Sequence, residues 1–200
     1  MDSQPRWFTE TDPGHSEWYA EHFRDLVATG GDTAGEARLL DAIAAPGSRI
    51  LDAGCGQGRT AGALAARGHQ VVGVDVDLVL IESARRDNPG PTYVQADLAT
   101  LDLAQHGEGE LFDAAVSAGN VITFVAPGTE VAVLASIRQH LRPDAALVVG
   151  FHTERYDPND FDRDHFSAGF ELESRFSTWD IRPWTPDAEF CVSILRNPSR

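Results

Sequence analysis

Residues 51–58 read Leu-Asp-Ala-Gly-Cys-Gly-Gln-Gly: an apolar strand reaches an acid, Asp52, and three glycines follow at alternate positions. Glycine lets the backbone approach a bound molecule closely because no Cβ stands in the way. The helical pattern that follows, over 57–67, directs free backbone N–H groups and the positive end of a helix dipole toward the same place. The stretch therefore predicts a strand, a glycine loop and a helix that together receive a carboxylate or a phosphate.

A second acid, Asp75, stands seventeen positions after Gly58, at the end of the next predicted strand. An acid at that strand end is placed to accept hydrogen bonds from the two hydroxyls of a ribose. Asp77, two positions later, is placed to cap a helix that runs to Arg86. The glycine loop and Asp75 together predict a nucleoside-binding crevice.

The chain on either side of these acids alternates short β-branched runs with helical patterns, which is typical of an α/β fold with a parallel sheet. Strands are predicted over 48–53, 70–75, 92–97, 111–117 and 145–151, and a closing hairpin over 170–181 and 188–195. A helix is predicted to begin at Thr129 as its cap and to bury Val133, Leu134, Ile137 and Leu141. The loops at the carboxyl ends of the parallel strands are where a ligand is expected.

Residues 1–45 are predicted to form a helical cap, and residues 46–200 the sheet, within a single structural domain. Two amphipathic helices are expected in the cap. Their apolar positions are Trp18, Tyr19, Phe23, Leu26 and Val27 in the first helix, and Leu39, Leu40 and Ile43 in the second, which starts near Asp32. The aspartate-rich stretch 152–168 is expected to be an acidic loop.

The pattern Asp52-x-Gly54-x-Gly56-x-Gly58 resembles the first motif of class I S-adenosylmethionine-dependent methyltransferases. Further stretches resemble the later motifs of that family in the same order, namely 71–75, 95–98, 111–116 and 141–149. Asp144 and Ala145 replace two glycines that the family usually has before its fifth strand, which affects turn geometry. The resemblance spans about residues 48–151 and implies a Rossmann-like, doubly wound, seven-stranded sheet whose last strand is antiparallel.

The same resemblance implies S-adenosylmethionine as cofactor, S-adenosylhomocysteine as product, and a set of cofactor-binding residues. The set is Asp52, Gly54, Cys55, Gly56, Arg59, Asp75, Val76, Asp97, Leu98 and Asn120. Asp97 is expected at the adenine amino group, with Leu98 beside the ring, and the alternative for Asp97 is a solvated loop acid. Asp52 is expected to organise the glycine loop by accepting its N–H bonds. Arg59 either meets the cofactor carboxylate or is solvated, and Asn120 is either a site residue or a turn asparagine.

Catalysis of methyl transfer depends mainly on alignment, because the sulfonium is already a good leaving group. Where the acceptor must lose a proton, His152, just beyond the fifth strand, is the best-placed base, although a structural role is also open. Trp18 and Tyr19 form either a lid over the methionine end of the cofactor or ordinary helix packing. His15 and His22 share a helix face, but they lack further ligands, so no metal site is predicted.

The charge and apolar content of the sequence narrow the kinds of partner that are expected. The 200 residues carry 16 Lys and Arg against 31 Asp and Glu, a formal charge of −15, which disfavours nucleic acid. No apolar run is long enough for a membrane span, and no secretory signal is visible, so a cytoplasmic protein is expected. Cys55 and Cys191 indicate reduced thiols. A small-molecule substrate is predicted, and a homodimer is left open.

Two other functions are compatible with a nucleoside crevice. The first is a protein that binds S-adenosylmethionine or its product without transferring a methyl group. The second is an NAD(P)-dependent reductase, but its G-x-G-x-x-G pattern requires a glycine at position 59, where the chain has Arg59. We therefore predict methyl transfer from S-adenosylmethionine to a small molecule.

Overall fold

The computed structural model of the chain describes residues 4–199, so Met1–Ser3 and Arg200 of the predicted ranges lie outside the described residues. Seven strands form one sheet: β1 Arg49–Ala53, β2 Gln70–Asp75, β3 Thr92–Gln95, β4 Phe112–Ser117, β5 Leu141–His152, β6 Glu171–Phe176 and β7 Phe190–Arg196. Their order is β3-β2-β1-β4-β5-β7-β6. β7 runs antiparallel to the other six strands of this sheet. This confirms the predicted fold class.

Eight α-helices surround the sheet within residues 4–199. They are α1 Arg6–Thr9, α2 His15–Ala28, α3 Gly35–Ile43, α4 Arg59–Ala65, α5 Leu78–Asp87, α6 Val121–Phe124, α7 Glu130–Gln139 and α8 Pro158–Ser167. Successive side chains along a strand point to opposite faces of the sheet, so alternate strand residues belong to two different buried clusters. Ile50 packs with α3, α4 and α5 on one face. Leu51 belongs to the other face, with α7 and α8.

The N-terminal region differs in detail from the prediction. It contains three helices rather than two, since α1 precedes the predicted pair. Leu39 and Leu40 are buried as expected, but Ile43 is 36% exposed at the end of α3. The division into a cap and a sheet domain stays a prediction.

The predicted acidic loop over 152–168 is wrong, because α8 occupies most of it. Asp157 caps this helix by accepting a hydrogen bond from the Asn159 N–H, and Pro158 fits the first helical turn. Phe161 and His165 bury one face of the helix against the sheet. A single buried phenylalanine in a run of acids gave too weak an apolar pattern to predict the helix.

Some helix caps and boundaries also differ from the prediction. Asp77 caps α5 through the Val79 N–H at 2.8 Å, as predicted. The Thr129 hydroxyl does not cap α7; it donates to the Ala126 carbonyl instead. Leu141 was predicted to extend α7, but it begins β5, where it pairs with Phe112 before an irregularity in the register.

The closing hairpin is confirmed with shorter strands, β6 and β7. The predicted first strand ran to Ile181, but β6 ends at Phe176, and Ile181 has a φ of 59°, which an extended strand does not adopt. No helix among residues 4–199 combines the length and apolar character that crossing a bilayer requires.

A crevice at the carboxyl edge of the sheet

A crevice opens where the strand order reverses between β1 and β4, at the carboxyl ends of the parallel strands. It encloses about 810 Å³, including its open mouth. Nine of the ten predicted cofactor residues line it, and these are Asp52, Gly54, Cys55, Gly56, Arg59, Asp75, Val76, Asp97 and Leu98. Asn120 is not in the wall, but its neighbours Gly119 and Val121 are. The position matches the place where doubly wound sheets bind ligands.

The glycine loop is organised by backbone and by Asp75. The N–H groups of Gly54 and Cys55 both donate to the Val74 carbonyl. The Gly56 N–H donates to Oδ2 of Asp75 at 2.8 Å. No hydrogen bond joins Asp52 to this loop in the described chain, so the role predicted for Asp52 as organiser of the loop is wrong.

Asp52 is a deeply buried acid in the crevice wall. Only 1% of the residue is exposed, and its Oδ2 atom has no hydrogen-bond partner among the described residues. Burial raises the pKa of the carboxyl to about 7, against the opposing influence of Arg59 and the Ala61 N–H. A buried carboxylate oxygen without a partner is costly, so the crevice wall offers a binding point to a cation or a hydrogen-bond donor.

Asp75 is held more firmly than Asp52. Its Oδ1 atom accepts from the Asp77 N–H at 2.9 Å, while Oδ2 holds Gly56. Burial raises the pKa of the Asp75 carboxyl to about 6, although these backbone hydrogen bonds oppose the shift. The carboxylate is thus fixed at the end of β2, facing the crevice with its remaining lone pairs.

Arg59 is a wall residue rather than a solvated side chain. Its Nη1 and Nη2 atoms bind both oxygens of the buried Glu36, at 2.7 and 2.5 Å, and Nη1 also donates to the Thr33 carbonyl. The guanidinium lies over the Phe23 ring at 5.0 Å. This bidentate pair ties α3 to the start of α4 and fixes one positive charge beside Asp52.

The end of β3 and the thiol beside the loop complete the wall. Asp97 caps a short 3-10 turn by accepting from the Ala99 N–H at 2.8 Å, and Leu98 is buried next to it. Burial raises the pKa of the Cys55 thiol well above its ordinary value. Cys55 therefore remains a neutral thiol, unsuited to act as a nucleophile.

Three aromatic rings form the side of the crevice that the motifs do not supply. Trp7 meets Tyr19 at 5.6 Å and Phe124 at 5.5 Å between ring centroids, both nearly perpendicular. Tyr19 was one of the two predicted lid residues, whereas Trp7 and Phe124 were not predicted to line the site. Trp7 lies on the short helix α1, far from the motifs, and Phe124 lies on the short helix α6, four positions after Asn120, so neither has a periodic apolar pattern around it.

The predicted lid residue Trp18 stands apart from this aromatic wall. It is 55% exposed, and its ring stacks on His22 at 5.3 Å and lies 5.3 Å from His15. Trp18 therefore neither lines the crevice as a lid nor packs as a buried residue of its helix. No group of three or more His, Cys, Asp or Glu side chains that could hold a metal occurs among residues 4–199.

His152 and Asn120 are joined to each other at the edge of the site. The His152 N–H donates to Oδ1 of Asn120 at 2.7 Å, and Asn120 has a φ of 65°. The His152 ring is exposed and packs edge-on against Phe190 at 4.9 Å. The structure does not bring the imidazole into the crevice wall.

Comparison with solved structures identifies the family. A TehB-like S-adenosylmethionine-dependent methyltransferase from Corynebacterium glutamicum is 42% identical, with a TM-score of 0.85 over 92% of this chain and 98% of that chain. The chain belongs to the S-adenosylmethionine-dependent methyltransferase family. A methyltransferase domain family matches residues 50–144, which contain the first four motifs and the start of the fifth. The resemblance stated from the sequence is therefore confirmed.

Two curated relatives each match about half of this chain. A magnesium-protoporphyrin O-methyltransferase from Rhodobacter capsulatus is 36% identical over 107 residues, or 52% of this chain and 46% of that protein. A ribosomal protein L11 methyltransferase from Symbiobacterium thermophilum is 40% identical over 88 residues, or 42% of this chain and 29% of that protein. The chain spans less than half of the length of these relatives.

Proposed function

We propose that this protein transfers a methyl group from S-adenosylmethionine to a small-molecule acceptor. The observation that carries the proposal is the convergence of the predicted cofactor residues on one crevice, in whose wall Oδ2 of Asp52 has no partner within residues 4–199. The family assignment argues against an NAD(P)-dependent reductase. The sequence already disfavoured that function, because position 59 is Arg59 and not the glycine that the dinucleotide pattern requires.

The residues present fit the chemical groups of the cofactor. The buried oxygen of Asp52 pairs with the ammonium of the methionine part, which supplies the missing donor. Asp75 takes the ribose hydroxyls, and Asp97 with Leu98 takes the adenine. Arg59 has two of its five N–H groups outside the contacts with Glu36 and Thr33, and these meet the cofactor carboxylate.

The cofactor supplies an electrophilic methyl group on a good leaving group. The protein positions the two reactants and excludes water from the crevice. The Trp7, Tyr19 and Phe124 rings cover the side of the crevice next to Gly119 and hold an apolar surface against the acceptor. Burial raises the pKa of the Tyr19 phenol, so Tyr19 remains protonated at neutral pH and does not serve as a base.

Two features favour a small acceptor over a polyanion. The aromatic residues narrow the crevice, and the formal charge of −15 repels a phosphate backbone.

We expect no shift of DNA or RNA in a gel at about 0.15 M salt. At this salt concentration, surface charges still act over roughly 8 Å. Methylation of a protein, as the name of the L11 relative suggests, is the other acceptor class to test.

The decisive experiment measures cofactor binding first and turnover second. Calorimetry should give one S-adenosylhomocysteine site per chain and no comparable heat with NAD or NADP. Labelled S-adenosylmethionine is then incubated with a metabolite extract, a protein extract and RNA, and the methylated species are identified by mass. Label in small molecules supports the proposal, and label confined to protein or RNA contradicts the acceptor class. Binding without label in any fraction favours the non-catalytic binder.

Asp75→Ala should weaken S-adenosylhomocysteine binding by about 1.5–3 kcal/mol, because a charged acceptor is removed from the ribose hydroxyls. The same change releases the Gly56 N–H, so thermal unfolding must be measured alongside calorimetry. Glu110→Ala, an exposed acid at the opposite end of the sheet, is the control. Unchanged affinity in Asp75→Ala would remove this residue from the site.

His152→Ala tests the proposed base. If His152 takes a proton from the acceptor, kcat should fall about 100-fold while cofactor affinity stays constant. Because the bond to Asn120 comes from the backbone N–H, the substitution leaves that contact in place. Normal turnover with a lowered melting temperature would assign His152 to packing against Phe190.

A further inference from the structure

The N-terminal strap, defined as residues 5–11, lies across the crevice and contributes Pro5 and Trp7 to its wall. Several contacts fasten it. Arg6 donates to the Val125 carbonyl at 3.3 Å and to Glu130 at 3.0 Å, and Glu10 lies 3.6 Å from Arg155. These ion pairs are partly exposed, so each contributes little by itself.

The most buried contact of the strap is made by Asp77. Oδ2 of Asp77 accepts from Nε1 of Trp7 at 2.7 Å and also from the Ser16 hydroxyl. Its Oδ1 caps α5 through the Val79 N–H. Only 3% of Asp77 is exposed, so both oxygens depend on these protein donors. One carboxylate therefore joins the strap, the start of α2 and the start of α5.

Asp77 is also joined directly to the proposed ribose site. Its backbone N–H donates to Oδ1 of Asp75, whose other oxygen holds the Gly56 N–H. The residue that fastens Trp7 is thus one hydrogen bond away from the acid that faces the ribose. A displacement of Asp77 changes the crevice wall at Trp7 and at Asp75 together.

We propose that Asp77 is a positioning residue that fastens the N-terminal strap over the crevice and thereby slows departure of the cofactor. The inference rests on the proposed function for the identity of the cofactor. Its structural part, a strap held by the Trp7–Asp77 bond, is independent of any ligand. Trp7 supplies both the donor of this bond and the ring that covers the crevice, so the bond sets the position of the ring.

Two substitutions separate this bond from the helix cap. Asp77→Asn keeps an oxygen for the Val79 N–H but turns an amide donor toward Nε1 of Trp7. Trp7→Phe removes the donor and keeps an aromatic ring in the wall. Asp157→Asn is the matched control, since it changes the cap of α8, which lies outside the crevice wall.

Stopped-flow measurement of S-adenosylhomocysteine release is the first readout. Asp77→Asn and Trp7→Phe should each speed release about tenfold, the effect of losing one buried hydrogen bond to a charged group. The double variant should be no faster than the faster single variant, because both remove the same bond. Asp157→Asn should release ligand at the rate of the unaltered protein.

Hydrogen exchange on the ligand-free protein is the second readout. The Phe8 and Glu10 amides should exchange about tenfold faster in both strap variants, while the Ile81 amide keeps its protection. Unchanged strap exchange, or unchanged release by Trp7→Phe, would overturn the inference. Loss of protection at Ile81 in Asp77→Asn, with no effect of Trp7→Phe, would assign Asp77 to the helix cap alone. Failure of the unaltered protein to bind S-adenosylhomocysteine would overturn the proposed function and, with it, the role of Asp77 in retaining the cofactor. The hydrogen-exchange result would still decide whether the Trp7–Asp77 bond holds the strap.

Discussion

Asp52→Asn is expected to abolish measurable S-adenosylhomocysteine binding and, at the same time, to stabilise the ligand-free protein. Binding is lost because the amide removes the negative charge that pairs with the ammonium. Stability rises because the ligand-free protein no longer holds a buried carboxylate whose Oδ2 finds no hydrogen-bond donor in the part of the chain that the structure describes. The shift of the Asp52 pKa to about 7 corresponds to an upper bound of about 4 kcal/mol.

The gain in stability should depend on pH in a defined direction. The pKa of Asp52 is raised by folding, so the folded state binds the proton more tightly than the unfolded chain. The penalty from ionised Asp52 is therefore fully present above about pH 7 and disappears as the pH falls toward 4. Chemical denaturation should show the largest difference between Asp52→Asn and the unaltered protein near pH 8 and almost none near pH 4.

Asp102→Asn provides the control for loss of one negative charge. Asp102 caps an exposed 3-10 turn, and its hydrogen bonds to Gln105 and the backbone lower its pKa, so this substitution should not stabilise the protein. Retained affinity in Asp52→Asn would place the ammonium elsewhere. An unchanged or lowered stability near pH 8 would show that Asp52 is satisfied in the ligand-free protein.

Gly58→Ala is expected to destabilise the protein by about 2–5 kcal/mol, the sum of a left-handed backbone and an overpacked site. Gly58 has a φ of 84°, and an added Cβ would stand 2.6 Å from the Tyr93 hydroxyl oxygen and 2.9 Å from Cβ of Ala84. Tyr93 cannot move freely because its hydroxyl donates to the Asn88 carbonyl at 2.7 Å. The last glycine of the motif therefore serves packing of α5 and β3.

Gly56→Ala is the matched comparison within the same motif. Its φ of 53° carries a smaller cost, of about 1 kcal/mol, and an added Cβ would meet only Tyr19, at 3.5 Å. That Cβ lies toward the crevice, so we expect Gly56→Ala to weaken S-adenosylhomocysteine binding with little loss of stability. Denaturant unfolding and calorimetry on both variants check this division. Equal stability losses would show that the two glycines have one common role.

The local sequence was sufficient for the central part of the fold and for one half of the crevice. The glycine loop, Asp75 and Asp97 each follow a parallel strand, and the carboxyl ends of such strands must meet at one edge of the sheet. Strand periodicity and connection handedness therefore place these residues together without any knowledge of packing. The antiparallel β7 likewise followed from two extended runs separated by Pro183 and Pro186.

Tertiary structure alone decided the other half of the crevice and the state of its charges. Trp7 reaches the wall because its indole N–H bonds to Asp77, 70 positions later in the chain. Oδ2 of Asp52 has no hydrogen-bond partner among the described residues because the N–H groups of the glycine loop bond to Val74 and Asp75 instead. Sequence periodicity reports which face of an element is buried, whereas the pairing of a buried donor with one particular acceptor depends on distances between elements that only packing sets.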